Sequence, residues 1–334
     1  MKVISMESSK LKNIAITTCL LAAAIGFCGA VPVSAQPAPA NIGVLTPGVN
    51  FAPVLDGLRE GLMKFGYREG KNLSFIVEDS KGETANLDGH VAKLIEAKPD
   101  LIFTVATAHT TAVKRATATI PIVFTVVGDP VRAQLVDSFA SSRNNVTGVS
   151  NHAALLTAKR LELLKDLAPR AKSVLVIVSI NETSAKVVLP YLNEPAKKMG
   201  FRLVSKDVVG TEDFGKLLAE RWQSIDAIFP IPSVLIGMNI QGLIAKAKME
   251  RIPLVVHEDS WVKAGALGSY GSDFHLMGAQ AAKLVVKVLK GVKPAEIPIE
   301  TPYPLVLTIN RSTAKAIGLK VPEKILERAD KIFD

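Results

Sequence analysis

The chain is predicted to be an α/β protein built from two doubly wound lobes. Three observations carry the prediction. From residue 41 onward, short β-rich runs alternate with longer segments of helical spacing. The short runs are apolar throughout, as parallel strands covered on both faces are. The programme then restarts near residue 173, and the second half answers the first segment by segment.

In the first half, NIGVLT (41–46) is a strand and PVLDGLREGLMKF (53–65) a helix. LSFIVEDS (73–80) is a strand and LDGHVAKLIEA (87–97) a helix. LIFTVA (101–106), HTTAVKRATA (109–118) and IPIVFTVV (120–127) complete a strand–helix–strand series. Right-handed crossovers between such strands lay helices on both sheet faces. In the second half, SVLVIVSI (173–180) is a strand, 185–199 a helix and FRLVSKDV (201–208) a strand. A helix near 212–221, a strand at IDAIFPIP (225–232), a helix at 236–250 and a strand at IPLVVHED (252–259) follow. GALGSYGS (265–272) and PLVLTIN (304–310) read as further strands around a helix at 275–291.

The halves match at their joints. GLMKFGYREGKNLSFIVED corresponds to EPAKKMGFRLVSKDV, PDLIFTVA to IDAIFPIP, and IPIVFTVVGD to IPLVVHED. The spacing of about 130 residues is far beyond that of stacked solenoid repeats, so it indicates two lobes of like topology. NNVTGVSNHA (144–153) leaves the first lobe without a long linker. Several short crossings between lobes make a hinge.

The first 35 residues are set apart as an export signal. Lys2, Lys10 and Lys12 precede the apolar run 14–28, and Val33-Ser34-Ala35 offers a small-residue cleavage site. The run is too short for a membrane span. Both cysteines, Cys19 and Cys28, lie inside it, so the mature chain has neither thiol nor disulfide. Phe27 before Cys28 argues against lipid attachment there, since such signals place a small residue at that point. A periplasmic location is therefore expected.

Loss of three lysines and one glutamate with the signal lowers the formal net charge from +9 to +7. The basic residues are scattered, without a run or interleaved aromatics, which argues against nucleic acid as a partner.

Ligands of open α/β sheets bind beyond the carboxyl ends of the strands, where helix N-termini offer free N–H groups. The residues there are Thr46-Pro47-Gly48, Asp79-Ser80, Ala106-Thr107, Gly128-Asp129-Pro130, Asn181-Glu182, Pro232-Ser233, His257-Glu258-Asp259 and Asp273. They are small, polar or acidic, as a cleft for a small polar ligand requires. Capping is the competing role for Thr107, Ser233 and Asp273. Asp129 also stands where an N-cap would, with Pro130 opening a helix. Trp261 reads as a core or hinge residue.

Enzyme signatures are missing from the sequence. It has no phosphate loop, no GxGxxG, no HExxH and no nucleophile elbow. The histidines are isolated along the chain, so no metal or cofactor is expected.

REGLMKFGYREGKNL, KRATATIPIVFTVVGDPV, NNVTGVS, KRLELLKDLAP, AGALGSYGSD and TINRSTAKAIGLKVPEKILERAD run in order along the mature chain. On these segments the chain resembles the ABC transporter substrate-binding proteins of tryptophan/tyrosine-type uptake systems. The resemblance implies a type I periplasmic-binding-protein fold, two lobes joined by three crossovers, with no catalysis. It implies one lobe from 41–148 plus about 273–300, and another from 149–272 plus about 301–334. Its partners would be a small-molecule ligand, an ABC permease and its ATPase, and the chain would act as a monomer.

By the same resemblance, Thr46, Ala106, Thr107 and the neighbourhood of Asp129 would hold a ligand carboxylate, and Glu258 or Asp259 its ammonium. Pro47, Gly48, Asn181, Ser233 and Asp273 complete the expected ligand-binding set. An amino acid-like ligand with an aromatic or branched side chain is expected. The alternatives are a small organic or aromatic acid, a sensor subunit reporting to a membrane receptor, and an enzyme on the same fold.

Overall fold

The computed structural model describes residues 37–334; the expected signal and both cysteines lie outside the described residues. Five parallel strands make the first sheet: β1 (Ala40–Thr46), β2 (Leu73–Asp79), β3 (Leu101–Val105), β4 (Ile122–Val127) and β5 (Val146–Ser150), in the order β2-β1-β3-β4-β5. Helices α1 (Ala52–Lys64), α2 (Leu87–Glu96) and α3 (Thr107–Ala116) connect the first four strands. β3 and β4 are buried along their whole length, which explains their unbroken apolar sequence.

Helix α4 (Thr157–Leu167) then opens the second lobe, followed by β6 (Ser173–Ser179), α5 (Thr183–Val188), α6 (Asn193–Lys198), β7 (Arg202–Val208), α7 (Thr211–Ala219) and β8 (Ala227–Ile228). Next come α8 (Val234–Met238), α9 (Ile240–Met249), β9 (Val255–Glu258), α10 (Asp259–Lys263) and β10 (Gly268–Ser272). The long helix α11 (Phe274–Leu289) precedes β11 (Leu305–Asn310), α12 (Arg311–Ala316), α13 (Glu323–Leu326) and β12 (Lys331–Phe333). β7-β6-β8 is joined to β9 by a bridge between Ile228 and Leu254, and β10, β11 and β12 extend the sheet beyond β9. The order β7-β6-β8-β9-β10 repeats β2-β1-β3-β4-β5, so IPIVFTVVGDP and IPLVVHED occupy equivalent strands.

The chain passes between the lobes three times. It leaves β5 for α4, which packs on β9 and β10. It leaves β10 through Asp273 for α11, which lies along α1 and the first sheet. It returns by residues 300–304 to β11, with Glu300 bridged to Val149 beside β5. Both lobes belong to one unit, Ala38–Asp334.

Four local expectations change. The helix at 185–199 divides into α5, a 3-10 turn and α6, because Pro190 and Pro195 deny the backbone two donors. The strand at 225–232 is paired on both sides only through β8. Ile228 N–H donates to Pro253 on one side, while Phe229 and Ile231 still donate to Leu175 and Ile177 on the other. Pro230 and Pro232 fall at the positions that would have continued the pairing with β9. No helix follows Pro130: the Asp129 carboxylate accepts from Val131 and Arg132 N–H, at 3.1 and 3.0 Å, and organises a turn. VTGVS (146–150), read as an exit from the lobe, is its fifth strand.

Helix α11 is fixed to the first lobe by two glycines. A Cβ on Gly278 would stand 1.9 Å from the Val54 carbonyl oxygen, and one on Gly57 would stand 1.8 Å from that of His275. The helices approach so closely that backbone meets backbone, and neither side can yield by rotating a side chain. Gly278→Ala is therefore expected to cost about 1–3 kcal/mol or more, seen as a lower urea midpoint with an unchanged m-value. An unchanged midpoint would show that α1 and α11 separate freely.

Candidate functional site

A small, partly open cavity of about 30 Å3 lies between the carboxyl ends of the two sheets. From the first lobe it is walled by Phe51, Ala106, Thr107, Ala108, Val126 and Gly128. The second half of the chain contributes Glu182, Ser184, Val188, Pro232, Ser233, Val234 and His257, while Asn151 and Ala153 come from the first crossing.

Two backbone positions on this wall are strained. Ala106 has φ +75° and Val126 φ +58°, a region costly for any residue with a Cβ and most costly for a β-branched one. At Val126 the register between β4 and β5 shifts, so the strand bulges as it reaches the cleft. At Ala106 the strain turns the chain from β3 straight into α3. No side chain among the described residues caps that helix, and the first helical hydrogen bond is made by Thr110 to Ala106. The N–H groups of Thr107, Ala108 and His109 are left at a positive helix end beside the cavity.

Opposite stands Glu182, a buried carboxylate. It accepts from Val234 N–H at 2.8 Å and Leu235 N–H at 2.9 Å, which open α8. Ser233 caps the same helix, its Oγ accepting from Ile236 N–H at 3.1 Å. Two backbone bonds do not exhaust a carboxylate, which offers about four acceptor positions. Sequence reading named Asn181-Glu182 together at a strand end and took only Asn181 into the expected ligand-binding set. Asn181 is exposed on an outer groove between the lobes, with α3 residues opposite. A buried charge after an apolar strand is the signal that would have pointed to Glu182.

The remaining expected residues divide. Ala106, Thr107 and Ser233 line the cavity. Thr46, Pro47 and Gly48 are buried where the lobes touch: a Cβ on Gly48, at φ +127°, would lie 3.2 Å from Met238 Cε. Asp129 reaches across the cleft rim, where Tyr191 Oη donates to its Oδ2 at 3.2 Å and Arg132 lies 5.1 Å from the Tyr191 ring. Asn50 Nδ2 donates to the Gly237 carbonyl at 2.9 Å in a further contact between lobes.

Glu258, Asp259 and Asp273 do not line the cavity. Lys331 on β12 holds Asp259 at 2.6 Å and Asp273 at 2.8 Å, and Asp273 also caps α11 through Leu276 N–H at 3.0 Å. Glu258 caps α10, accepting from Trp261 N–H at 3.2 Å and from the Ser260 hydroxyl. Burial pushes its carboxyl up to about 8, with neighbouring Asp259 adding to the effect. A carboxyl mostly protonated at neutral pH is a poor counter-charge for an ammonium. Trp261 is core, set edge-on to His257 at 4.7 Å. Among the described residues no group of three or more His, Cys, Asp or Glu is placed to hold a metal ion, and no helix is long and apolar enough to cross a membrane.

The family model for ABC transporter substrate binding proteins matches residues 42–333. The chain belongs to this family. An ABC substrate-binding protein binds its solute without transforming it, which agrees with the lack of enzyme signatures. A tyrosine-binding protein of Clostridioides difficile is 30% identical over 273 residues, 80% of this chain and 78% of that one. A conserved domain protein of Vibrio cholerae superposes with a TM-score of 0.82 at 30% identity, covering 88% of this chain and 99% of its own. A domain from Streptococcus pneumonia in complex with L-Trp superposes with a TM-score of 0.83 at 26% identity, covering 89% and 100%. The two lobes with three crossovers are thus the type I periplasmic-binding-protein fold of this substrate-binding protein.

The raised Glu258 carboxyl makes a prediction. Between the ordinary carboxylate range and about pH 8 the folded protein holds a proton that the unfolded chain has lost. This contribution to stability is full below the unfolded pKa and fades as pH rises through 8. Compared with Glu258→Gln, the native protein should lose stability from pH 5.5 to 8.5, by at most about 1.4 kcal/mol per pH unit. Parallel pH dependences in urea melts would show that Glu258 titrates as an ordinary carboxyl.

Proposed function

We propose that this substrate-binding protein serves an ABC importer and captures an amino acid-like ligand of aromatic or branched side chain. The reading rests on one observation: the uncapped N-terminus of α3 and the Glu182 carboxylate line the same cavity from opposite lobes. An α-amino acid carries the complementary pair. Its carboxylate matches the N–H groups of Thr107, Ala108 and His109 with the Thr107 hydroxyl, and its ammonium matches Glu182. Phe51, Val126 and Val188 supply apolar wall for the side chain. The relatives named for tyrosine and solved with L-Trp support a ligand of this class.

The cavity is small, about 30 Å3, so a ligand enters when the lobes part and is held when they close. In this reading Asp129 contributes to closure through Tyr191 rather than touching the ligand. Export to the periplasm, a permease and an ATPase as partners, and action as a monomer complete the proposal.

Calorimetric titration tests the assignment. Glu182→Gln is expected to weaken amino-acid binding by tenfold or more, about 1.4 kcal/mol, and to leave matched acids lacking the amine unaffected. Equal amino-acid affinity in the two proteins would remove the ammonium role of Glu182. Equal affinity of the native protein for amino acids and desamino acids would favour the organic-acid alternative.

Tyr191→Phe keeps the ring under Arg132 and deletes only the bond to Asp129. Affinity should fall about fivefold, near 1 kcal/mol for one hydrogen bond, through faster ligand release. An unchanged release rate would mean that this contact does not stabilise the closed form.

A further inference from the structure

One thioether joins the two lobes at the end of α8 that points away from the cavity. Met238, the last residue of α8, is half-buried, and its side chain lies between two glycines of the first lobe. A Cβ on Gly82 would stand 2.7 Å from its Cγ. One on Gly48 would stand 3.2 Å from its Cε and 3.3 Å from its Sδ. Gly48 has φ +127° and Gly82 φ +83°, so glycine is needed there for conformation as well as for room.

The socket is tied to the candidate site. Gly82 belongs to the loop after β2, where Asp79 Oδ1 accepts from Lys81 N–H at 2.7 Å and the Ser80 carbonyl from Glu83 N–H at 2.8 Å. Ser80 Oγ lies 2.9 Å from Nε2 of the buried His109, in the first turn of α3. Gly48 belongs to the loop after β1, and its carbonyl accepts from the N–H of Phe51, a cavity wall residue, at 2.9 Å. In the other lobe, the N–H groups that open α8 are bonded to Glu182. Asn50 Nδ2 meets the Gly237 carbonyl beside Met238 at 2.9 Å. Met238 therefore bridges the two elements that face each other across the cavity, and it is seated only while the lobes are together.

Both cysteines fall within the expected signal, so methionine supplies the sulfur chemistry of the rest of the chain. Hydrogen peroxide oxidises a thioether by oxygen transfer. The sulfur lone pair attacks one peroxide oxygen, the S–O bond forms, the O–O bond breaks, and the second oxygen leaves as water with both protons. Sulfur gives up two electrons and the peroxide takes them. The sulfoxide that results is polar and chiral where the thioether was apolar and flexible. At Met238 it would enlarge and polarise a side chain already held against two backbones.

We propose that Met238 is an oxidation site that controls closure: a hydroperoxide converts it to the sulfoxide when the lobes are apart, and the sulfoxide resists return to the socket. Ligand and oxidant then oppose each other. A ligand that closes the lobes shields the sulfur, and a sulfoxide that keeps them apart lowers the fraction of protein able to bind. The coupling rests on closure of the lobes around a ligand, as assigned above, and not on which solute is held.

Hydrogen peroxide footprinting read by peptide mass spectrometry tests it. Met63 and Met249, 50% and 69% exposed, are references in the same chain, and the buried Met277 reports that the fold is intact. With saturating L-tyrosine or L-tryptophan, Met238 should oxidise at least about fivefold more slowly than in the free protein, while Met63 and Met249 keep their rates. After treatment, calorimetry should show amino-acid affinity lowered about fivefold or more. Methionine sulfoxide reductases A and B, one for each epimer, should restore it. Met238→Leu occupies the socket without a sulfur, so the same treatment should not lower its affinity.

Equal Met238 rates with and without a bound amino acid would overturn the proposal. So would an unchanged affinity after full oxidation of Met238, or an equal loss in the native protein and Met238→Leu. If neither amino acid binds, the ligand-free protein decides. Gly82→Ala presses on Met238 Cγ, and Gly48→Ala on its Cε and Sδ. Faster oxidation of Met238 in either variant, with Met277 still protected, keeps the closure device and removes the amino-acid reading. Native rates at Met238 in both variants overturn this proposal as well.

Discussion

Backbone N–H groups run out of partners at the carboxyl end of β3, and the cleft is organised around that shortage. A strand that turns directly into a helix leaves the first helical N–H groups without carbonyls to meet. Here the turn is so abrupt that Ala106 takes a positive φ, and no side chain among the described residues caps the result. Unused donors at a positive helix end have to be solvated or matched by an anion. In this chain they open onto a cavity shared with a buried carboxylate.

The same physics disposes of the other acids. β4 and β9 are equivalent strands, and both end in acidic loops. Asp129 is spent on two turn N–H groups and on Tyr191. Glu258 caps α10, and Asp259 and Asp273 share Lys331. Each acid has found a nearby backbone donor, hydroxyl or cation, because an unmatched buried polar group is costly. Glu182 also caps a helix, yet it alone of these acids does so from the cavity wall.

Much of the fold was legible in the sequence because parallel strands buried on both faces cannot hide their composition. The joint motifs GLMKFGYREGKNLSFIVED and EPAKKMGFRLVSKDV carried the duplication, and the sheets share one strand order. The misreadings fell where local pattern and pairing conflict. IDAIFPIP has the composition of a full strand, but its prolines stop one side of the ladder. VTGVS is a short, unremarkable string that becomes β5 only because β4 offers it an edge.

The sequence by itself determined the α/β class, the two-fold internal plan and the loops from which the site is drawn. Hydrophobic period and strand–helix alternation are local properties, and these followed from them. Tertiary structure alone decided which loop residues face the cavity. Ala106, Thr107 and Ser233, from the expected ligand-binding set, line it, and so do Glu182 and His257, which the sequence placed in the same loops but outside that set. Whether an acid is a cap, a lysine partner or a cavity wall depends on which donor lies within about 3 Å of it. That distance is set by how two lobes and three crossings pack, and no stretch of ten residues encodes it.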